Sequence, residues 1–223
     1  MIKAVNCLPD INDNSVEFLK IKFNLNSYSD IAYFWVQDET NTIISMLDGN
    51  AVIKNFDCDT NELSEFLNII NPKSVFSDAK TLKALGYSFN KASVMKYIGK
   101  DFERTLTGEY LASDDIYKIF LKAGFKMPKF EDFATDYCHR LNHGFAQSIG
   151  IKDTCAAVLF KDNENILING IASLEKGYGS MMLTLIANEH KDKNIFAVCE
   201  ESVKEFYIKN GFEEVYKVGY KVE

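Results

Sequence analysis

The sequence has no apolar run approaching the roughly 20 residues that span a bilayer, and its N-terminus lacks a basic segment leading into an apolar one. A soluble cytoplasmic protein with no membrane partner is expected. A Lys/Arg stripe is also missing: 25 basic residues stand against 32 acidic ones, for a formal net charge of −7. That balance argues against nucleic acid as a partner. The five cysteines, Cys7, Cys58, Cys138, Cys155 and Cys199, are scattered, odd in number and never in Cys-x-x-Cys spacing. Free thiols in a reducing compartment fit this better than a disulfide framework or a zinc site. Cys155 and Cys199 sit in apolar strand patterns and read as small core residues.

Histidine is scarce, with three in the chain. His139 and His143, four residues apart, could share a metal on a helix, but no carboxylate lies between them, and no metal is expected. Two uses remain open for them: as neutral imidazoles acting as proton acceptors, or as hydrogen-bonded structural groups beside an ion-paired Arg140. His190 reads as a favourable C-terminal cap of its helix. There is no Gly-Lys-Ser/Thr, which excludes a nucleoside triphosphate P-loop, and no third glycine for a dinucleotide fingerprint.

What is present is ordinary globular composition, 47% hydrophobic and 26% charged over 223 residues, enough for one substantial core or two modest ones. Met1 to Asn26 is ambiguous: Val16, Phe18 and Leu19 fit a helix, while Ile21, Phe23 and Leu25 alternate like a strand. From Ile31 the pattern is a buried strand, then a hairpin over Thr42 to Phe56 turning at Asp48-Gly49-Asn50. Asp59-x-x-Glu62 resembles a capping box for a helix carrying Leu63, Phe66, Leu67 and Ile70. A strand at Ser74 to Phe76, a helix ending at Leu85-Gly86 and a strand near Ala92 to Ile98 follow. Ser113 is expected to cap a connecting helix with Ile116, Tyr117, Phe120 and Leu121, stopped by Gly124 and Pro128.

The second half repeats this order. A hairpin over Thr154 to Leu174 turns at Asp162-Asn163-Glu164-Asn165. Gly177-Tyr178-Gly179-Ser180 then opens an apolar helix, followed by a strand at Asn194 to Val198. Ser202-x-x-Glu205 reads as a capping box for a last helix, with Val203, Phe206 and Tyr207 on one face and Asn210-Gly211 as its stop. Two related halves are inferred, divided near Thr107 into residues 1–107 and 108–223. The fold class expected is α/β, an α+β mixed sheet in which each half runs hairpin, helix, strand, helix, strand. Unpaired first-turn amides behind a glycine turn make an anion site.

Gly177-x-Gly179-Ser180 at a helix start, followed by Phe206-Tyr207-x-Lys209-x-Gly211-Phe212, resembles the GNAT superfamily of acyl-CoA-dependent N-acetyltransferases. The resemblance covers roughly the C-terminal half. It implies that Lys176, Gly177, Tyr178, Gly179 and Ser180 hold the pyrophosphate of acetyl-CoA. It further implies that the strand Ile171, Ala172, Ser173, Leu174 pairs with pantetheine, and that Tyr207 protonates the departing thiolate during acetyl transfer to a small-molecule or peptide amine. Leu174 stands where the family pattern has Gln or Arg, in a turn several residues shorter, and Glu200 stands where an asparagine often opens the last helix. The alternative is a non-catalytic acyl-CoA-binding or interaction module that keeps the fold. In residues 1–107, Asp57-Cys58-Asp59 replaces the glycine turn and Leu82 matches Tyr207. This half is therefore expected to complete a sheet, shape the acceptor groove or pair with a second copy of the chain.

Overall fold

The computed structural model describes residues 1–38, 40–99 and 108–222. The chain packs as two compact units that are not consecutive stretches: residues up to Val94 with the C-terminal stretch from Tyr216, and residues Met95–Val215. The expected boundary at Thr107 lies outside the described residues.

In the first unit β1 (Ile2–Ala4), β2 (Tyr33–Gln37), β3 (Thr42–Leu47) and β4 (Asn50–Lys54) form antiparallel neighbours. Leu47 pairs with Asn50, so the hairpin turns on Asp48-Gly49 as its sequence indicated. The chain crosses through α2 (Thr60–Ile70) to β5 (Ser74–Asp78), which lies parallel to β4. α3 (Ala79–Ala84) leads to β6 (Asn90–Tyr97). The ambiguous N-terminal stretch resolves as α1 (Val16–Tyr28), whose N-cap Ser15 accepts from the Phe18 amide. Ile21 and Phe23, which alternated like strand residues, are both buried in this helix. Tertiary burial decided a segment whose periodicity was mixed.

Both faces of this sheet are covered. Ile44, Ile53 and Val75 pack with Leu63 and Leu67 of α2 and Leu82 of α3, while Ile43, Val52, Phe34 and Val36 pack with Phe18 and Ile21 of α1. Ile43-Ile44 and Val52-Ile53 are therefore apolar on consecutive residues, the pattern of a strand buried on both sides.

The edge of β5 is completed by β11 (Phe212–Val222), the last strand of the chain, antiparallel in register from Val218↔Asp78 to Val222↔Ser74. Its Val218 is fully buried. A Cβ on Gly219 would lie 2.3 Å from the Phe89 ring and 3.0 Å from the Asn90 carbonyl oxygen. Gly219→Ala is accordingly expected to destabilise the chain by about 1–3 kcal/mol through overpacking, read as a lower midpoint in a thermal melt.

The second unit repeats the design. β7 (Ala146–Ile151), β8 (Cys155–Lys161) and β9 (Asn165–Ser173) are antiparallel neighbours. α6 (Tyr178–Glu189) crosses to β10 (Asn194–Cys199), parallel to β9. The last residues of β6, Met95 to Tyr97, belong to this unit and lie beside β10. α4 (Ser113–Lys122) and α5 (Phe130–Asn142) cover one face, with Ile116, Phe120 and Tyr137 over Ala156 and Val158. α6 and α7 (Lys204–Lys209) cover the other. The repeat read from the sequence is thus a repeat of order in which each unit takes its final strand from the other half.

Several local expectations are corrected. Ser113 is the first residue of α4 rather than its cap; Ala112 holds that position with no side-chain bond. Leu121 of the same helix is largely exposed. The Ser202–Glu205 box does not form: Glu201–Val203 is a short 3-10 turn and α7 starts at Lys204 without a side-chain cap. Val203 is accordingly exposed while Tyr207 is buried. The Asp59 box forms by half, because Asp59 accepts from Asn61 and Glu62, whereas the Glu62 carboxylate accepts from the Ile2 amide and the Gln37 side chain. No described helix is long and apolar enough to cross a membrane.

Candidate functional site

The site region of the second unit is built by a local departure from sheet regularity. Along β8 the partner of Val158 is Gly170 and that of Leu159 is Ile168, so Asn169 is an extra residue on β9, a β-bulge. Parallel pairing with β10 ends at Ile168↔Ala197. β9 continues through Ser173 on β8 alone, and Val198 and Cys199 continue β10 without it. The two parallel strands thus part just past the bulge.

Which main-chain groups face the gap follows from strand alternation. The Leu174 amide donates to Thr154 at 2.9 Å, on the β8 side. Ala172, two residues earlier, points the same way, so the amides and carbonyls of Ile171 and Ser173 point toward the gap. Of the four residues expected along pantetheine, two therefore offer their backbone there, and the Leu174 amide is spent on the hairpin. The Ser173 hydroxyl donates to the Glu175 carbonyl oxygen, tightening the turn.

Gly177 follows in a left-handed conformation, φ +95°, with open space where a Cβ would stand. It is the N-cap of α6 and lends no side chain to the first turn. No hydrogen-bond partner among the described residues meets the amides of Tyr178, Gly179 and Ser180, the unpaired donors of a helix start. Glu175, Lys176 and Gly177 are exposed. A Cβ on Gly179 would stand 3.2 Å from Phe206, so this glycine lets α7 approach the beginning of α6.

Tyr207 follows Phe206 on α7. It is 6% exposed, in one apolar cluster with Met182, Leu183, Ala197 and Cys199, against which Ile171, Tyr178 and Phe206 also pack. The rings of Phe206 and Phe212 meet it edge-on, each at 5.3 Å. Burial, with a smaller contribution from Cys199, holds its phenol well above the ordinary tyrosine range. No hydrogen bond to its hydroxyl occurs among the described residues.

The corresponding place in the first unit is closed. There the β4–β5 pairing ends at Val52↔Phe76, and the Ser77 hydroxyl then donates across the opening to the Ile53 carbonyl at 2.9 Å. Asn55 Oδ1 takes the amides of Asp57 and Cys58, both at 2.8 Å, and Asp59 Oδ1 those of Asn61 and Glu62. The amides that could hold a phosphate are occupied by side-chain oxygens, and Leu82 at the Tyr207 position is core. Ser77 and Asn55 escaped the sequence reading; Asn55 followed by acceptable turn residues carried the signal of an Asx turn.

The other candidates are placed as follows. His139 and His143 stand ring to ring at 4.4 Å near the end of α5, and no group of three His, Cys, Asp or Glu capable of holding a metal occurs among the described residues. Arg140 is buried, with its Nε 3.0 Å from Asp136 and its guanidinium over Phe160. His190 is the C-cap of α6 through its amide, but its Nε2 is buried without a partner among the described residues. Desolvation lowers its pKa, so the expected cationic complement to the helix dipole is replaced by a neutral ring.

No protein-family model matches the chain, and no curated protein matches it. Solved structures do. A putative acetyltransferase from Pyrococcus horikoshii is similar at 12% identity and TM-score 0.60, over 92% of this chain and 78% of that one. A GNAT-family acetyltransferase from Colwellia psychrerythraea is similar at 10% identity and TM-score 0.54, over the whole of both chains. A tandem GNAT protein from the clavulanic acid biosynthesis pathway is similar at 9% identity and TM-score 0.56, over 99% of this chain and 97% of that one. With its parted parallel strands and its repeated unit, the chain has the fold of the GNAT-family acetyltransferases, in a two-half arrangement.

Proposed function

We propose that the chain is an acyl-CoA-dependent N-acetyltransferase working through the second unit, with acetyl-CoA as cosubstrate and a primary amine as acceptor. The observation that carries this reading is the parting of β9 and β10 beside uncapped amides at the start of α6. The amides of Tyr178, Gly179 and Ser180 suit a pyrophosphate, with Lys176 as the near cation. The inward-turned backbone of Ile171 and Ser173 suits the amides of a pantetheine arm, as an added strand would.

In the proposed reaction an uncharged amine attacks the thioester carbonyl, a C–N bond forms and the C–S bond breaks. The thiolate takes the Tyr207 proton, and the surplus proton that the amine gives up, passed on through water or a base, restores the phenol. A main-chain amide near the Asn169 bulge would meet the developing oxyanion. Burial keeps Tyr207 protonated at every working pH and also makes it a weaker acid. Desolvation of the leaving thiolate beside it raises the basicity of sulfur as well and so narrows the mismatch between the two groups.

A second reading, a ligand-binding module without turnover, is favoured by the depth at which Tyr207 is buried and by Leu174 where the family pattern has Gln or Arg. Calorimetry separates binding from its absence. Acetyl-CoA at one hundred times its dissociation constant is expected to stabilise the chain by about 2.7 kcal/mol, and no shift would remove both the transferase and the acyl-CoA-binding module and leave an interaction module. A shift without thiol release across a panel of amines would leave the acyl-CoA-binding module.

A further inference from the structure

The first unit holds a cavity of about 570 Å³ in front of the closed β4–β5 gap, walled by α1, the β4–α2 loop, α3 and β11. Its size is that of a small-molecule site. Glu17, Asp57 and Asp78 line it against Lys54 and Lys80, and Lys54 is already paired with Asp13 at 3.0 Å. Lys80 is exposed at the rim.

Glu17 is the unusual group. It is 2% exposed, yet no ion pair to it occurs among the described residues. Its Oε2 accepts the Tyr216 hydroxyl proton, and the same hydroxyl oxygen accepts the Val16 amide at 2.9 Å. Burial raises the Glu17 pKa, the Lys54 charge on the same wall offsets this only in part, and a further cation in the space that Glu17 lines would relieve the cost. An anion would find the opposite: the amides around the cavity are taken by Asn55, Asp59 and Asp78.

From this geometry we propose that the first unit binds a small organic cation carrying a primary ammonium group, seated against Glu17 and Asp78 in this cavity. The ammonium completes the charge of Glu17 and its three donors meet carboxylate oxygens. The apolar faces of Phe56 and Tyr216 take the carbon chain. The site is separate from the Gly177 turn and does not depend on the acetyl-transfer reading.

The test is a thermal melt of the full chain with 1,4-diaminobutane, against sodium chloride of matched ionic strength and against inorganic pyrophosphate. The diamine is expected to raise the midpoint by a few degrees at saturation, and pyrophosphate is expected not to act through this unit. Glu17→Gln keeps an acceptor for Tyr216 and should fold, yet its affinity for the diamine should fall about tenfold or more. Lys80→Glu, a rim change away from the packed core, should strengthen binding severalfold. Absence of a diamine shift in the parent chain overturns the proposal. So does a shift that Glu17→Gln leaves unchanged, which would place the amine elsewhere, such as at an acceptor site of the second unit.

Discussion

A chain ended at Val215 is expected to lose the folded first unit. That cut removes the partner of β5 from Ser74 to Asp78 and the buried Val218. It removes the Tyr216 hydroxyl that receives the Val16 amide and donates to Glu17, and the Lys217 ammonium that donates to Ser93. Each ladder hydrogen bond is worth about 0.5–1.5 kcal/mol net, and burial of Val218 about 1.5–3 more. The sum exceeds about 5 kcal/mol, the lower end of the stability of a whole domain. Limited proteolysis should then cut within residues 1–94 before it cuts the stretch 108–215, with a matching loss of far-ultraviolet ellipticity. A truncated chain that melts within a degree or two of the full one would show that β11 is an ornament of this unit and not part of it.

Tyr207→Phe is expected to lower turnover by about 100- to 10,000-fold, the usual contribution of a positioned proton donor, while leaving the melting midpoint unchanged or slightly raised. The two effects separate because the hydroxyl has no hydrogen-bond partner among the described residues, so its removal costs no bond while the ring still packs against Phe206 and Phe212. The loss should be uniform from pH 6 to 9. Burial raises the phenol above its ordinary value near 10, so it carries its proton over that whole window, and any alkaline fall in the parent rate belongs to another group. The readout is thiol release with acetyl-CoA and a panel of primary amines. Turnover within about twofold of the parent would take the proton-donor role from Tyr207, and the ring would then be core alone.

Much of the architecture was legible because its signals are local. The Asp48-Gly49 turn, the capping Asp59, the Gly177 start of α6 and the Asn210-Gly211 stop are each decided by a residue's own backbone freedom or a side chain within three positions. The Ser202–Glu205 box failed although its pattern was local, because Tyr207 buries its ring against Phe212 and Cys199, and α7 starts where that packing allows. α1 went the same way, with burial of Ile21 and Phe23 settling what alternation left open.

The candidate site was legible by half. Glycines, the Tyr207 spacing and the carboxylates that replace the turn in the first half are all present in the chain as read. The Asn169 bulge, the parting of β9 from β10 and the Ser77 staple depend on the register of strands far apart in sequence, which no local pattern encodes.

The sequence by itself determined the order of elements, their turns and the recurrence of that order, since these rest on backbone preferences and on apolar spacing within one element. Only the tertiary structure decided that the last strand, from Tyr216, completes the first unit, and that the Tyr216 hydroxyl donates to Glu17, some two hundred residues away, at a cavity wall. Strand partners are chosen by which buried edge is left unpaired once everything else has packed, and that choice belongs to the whole chain at once.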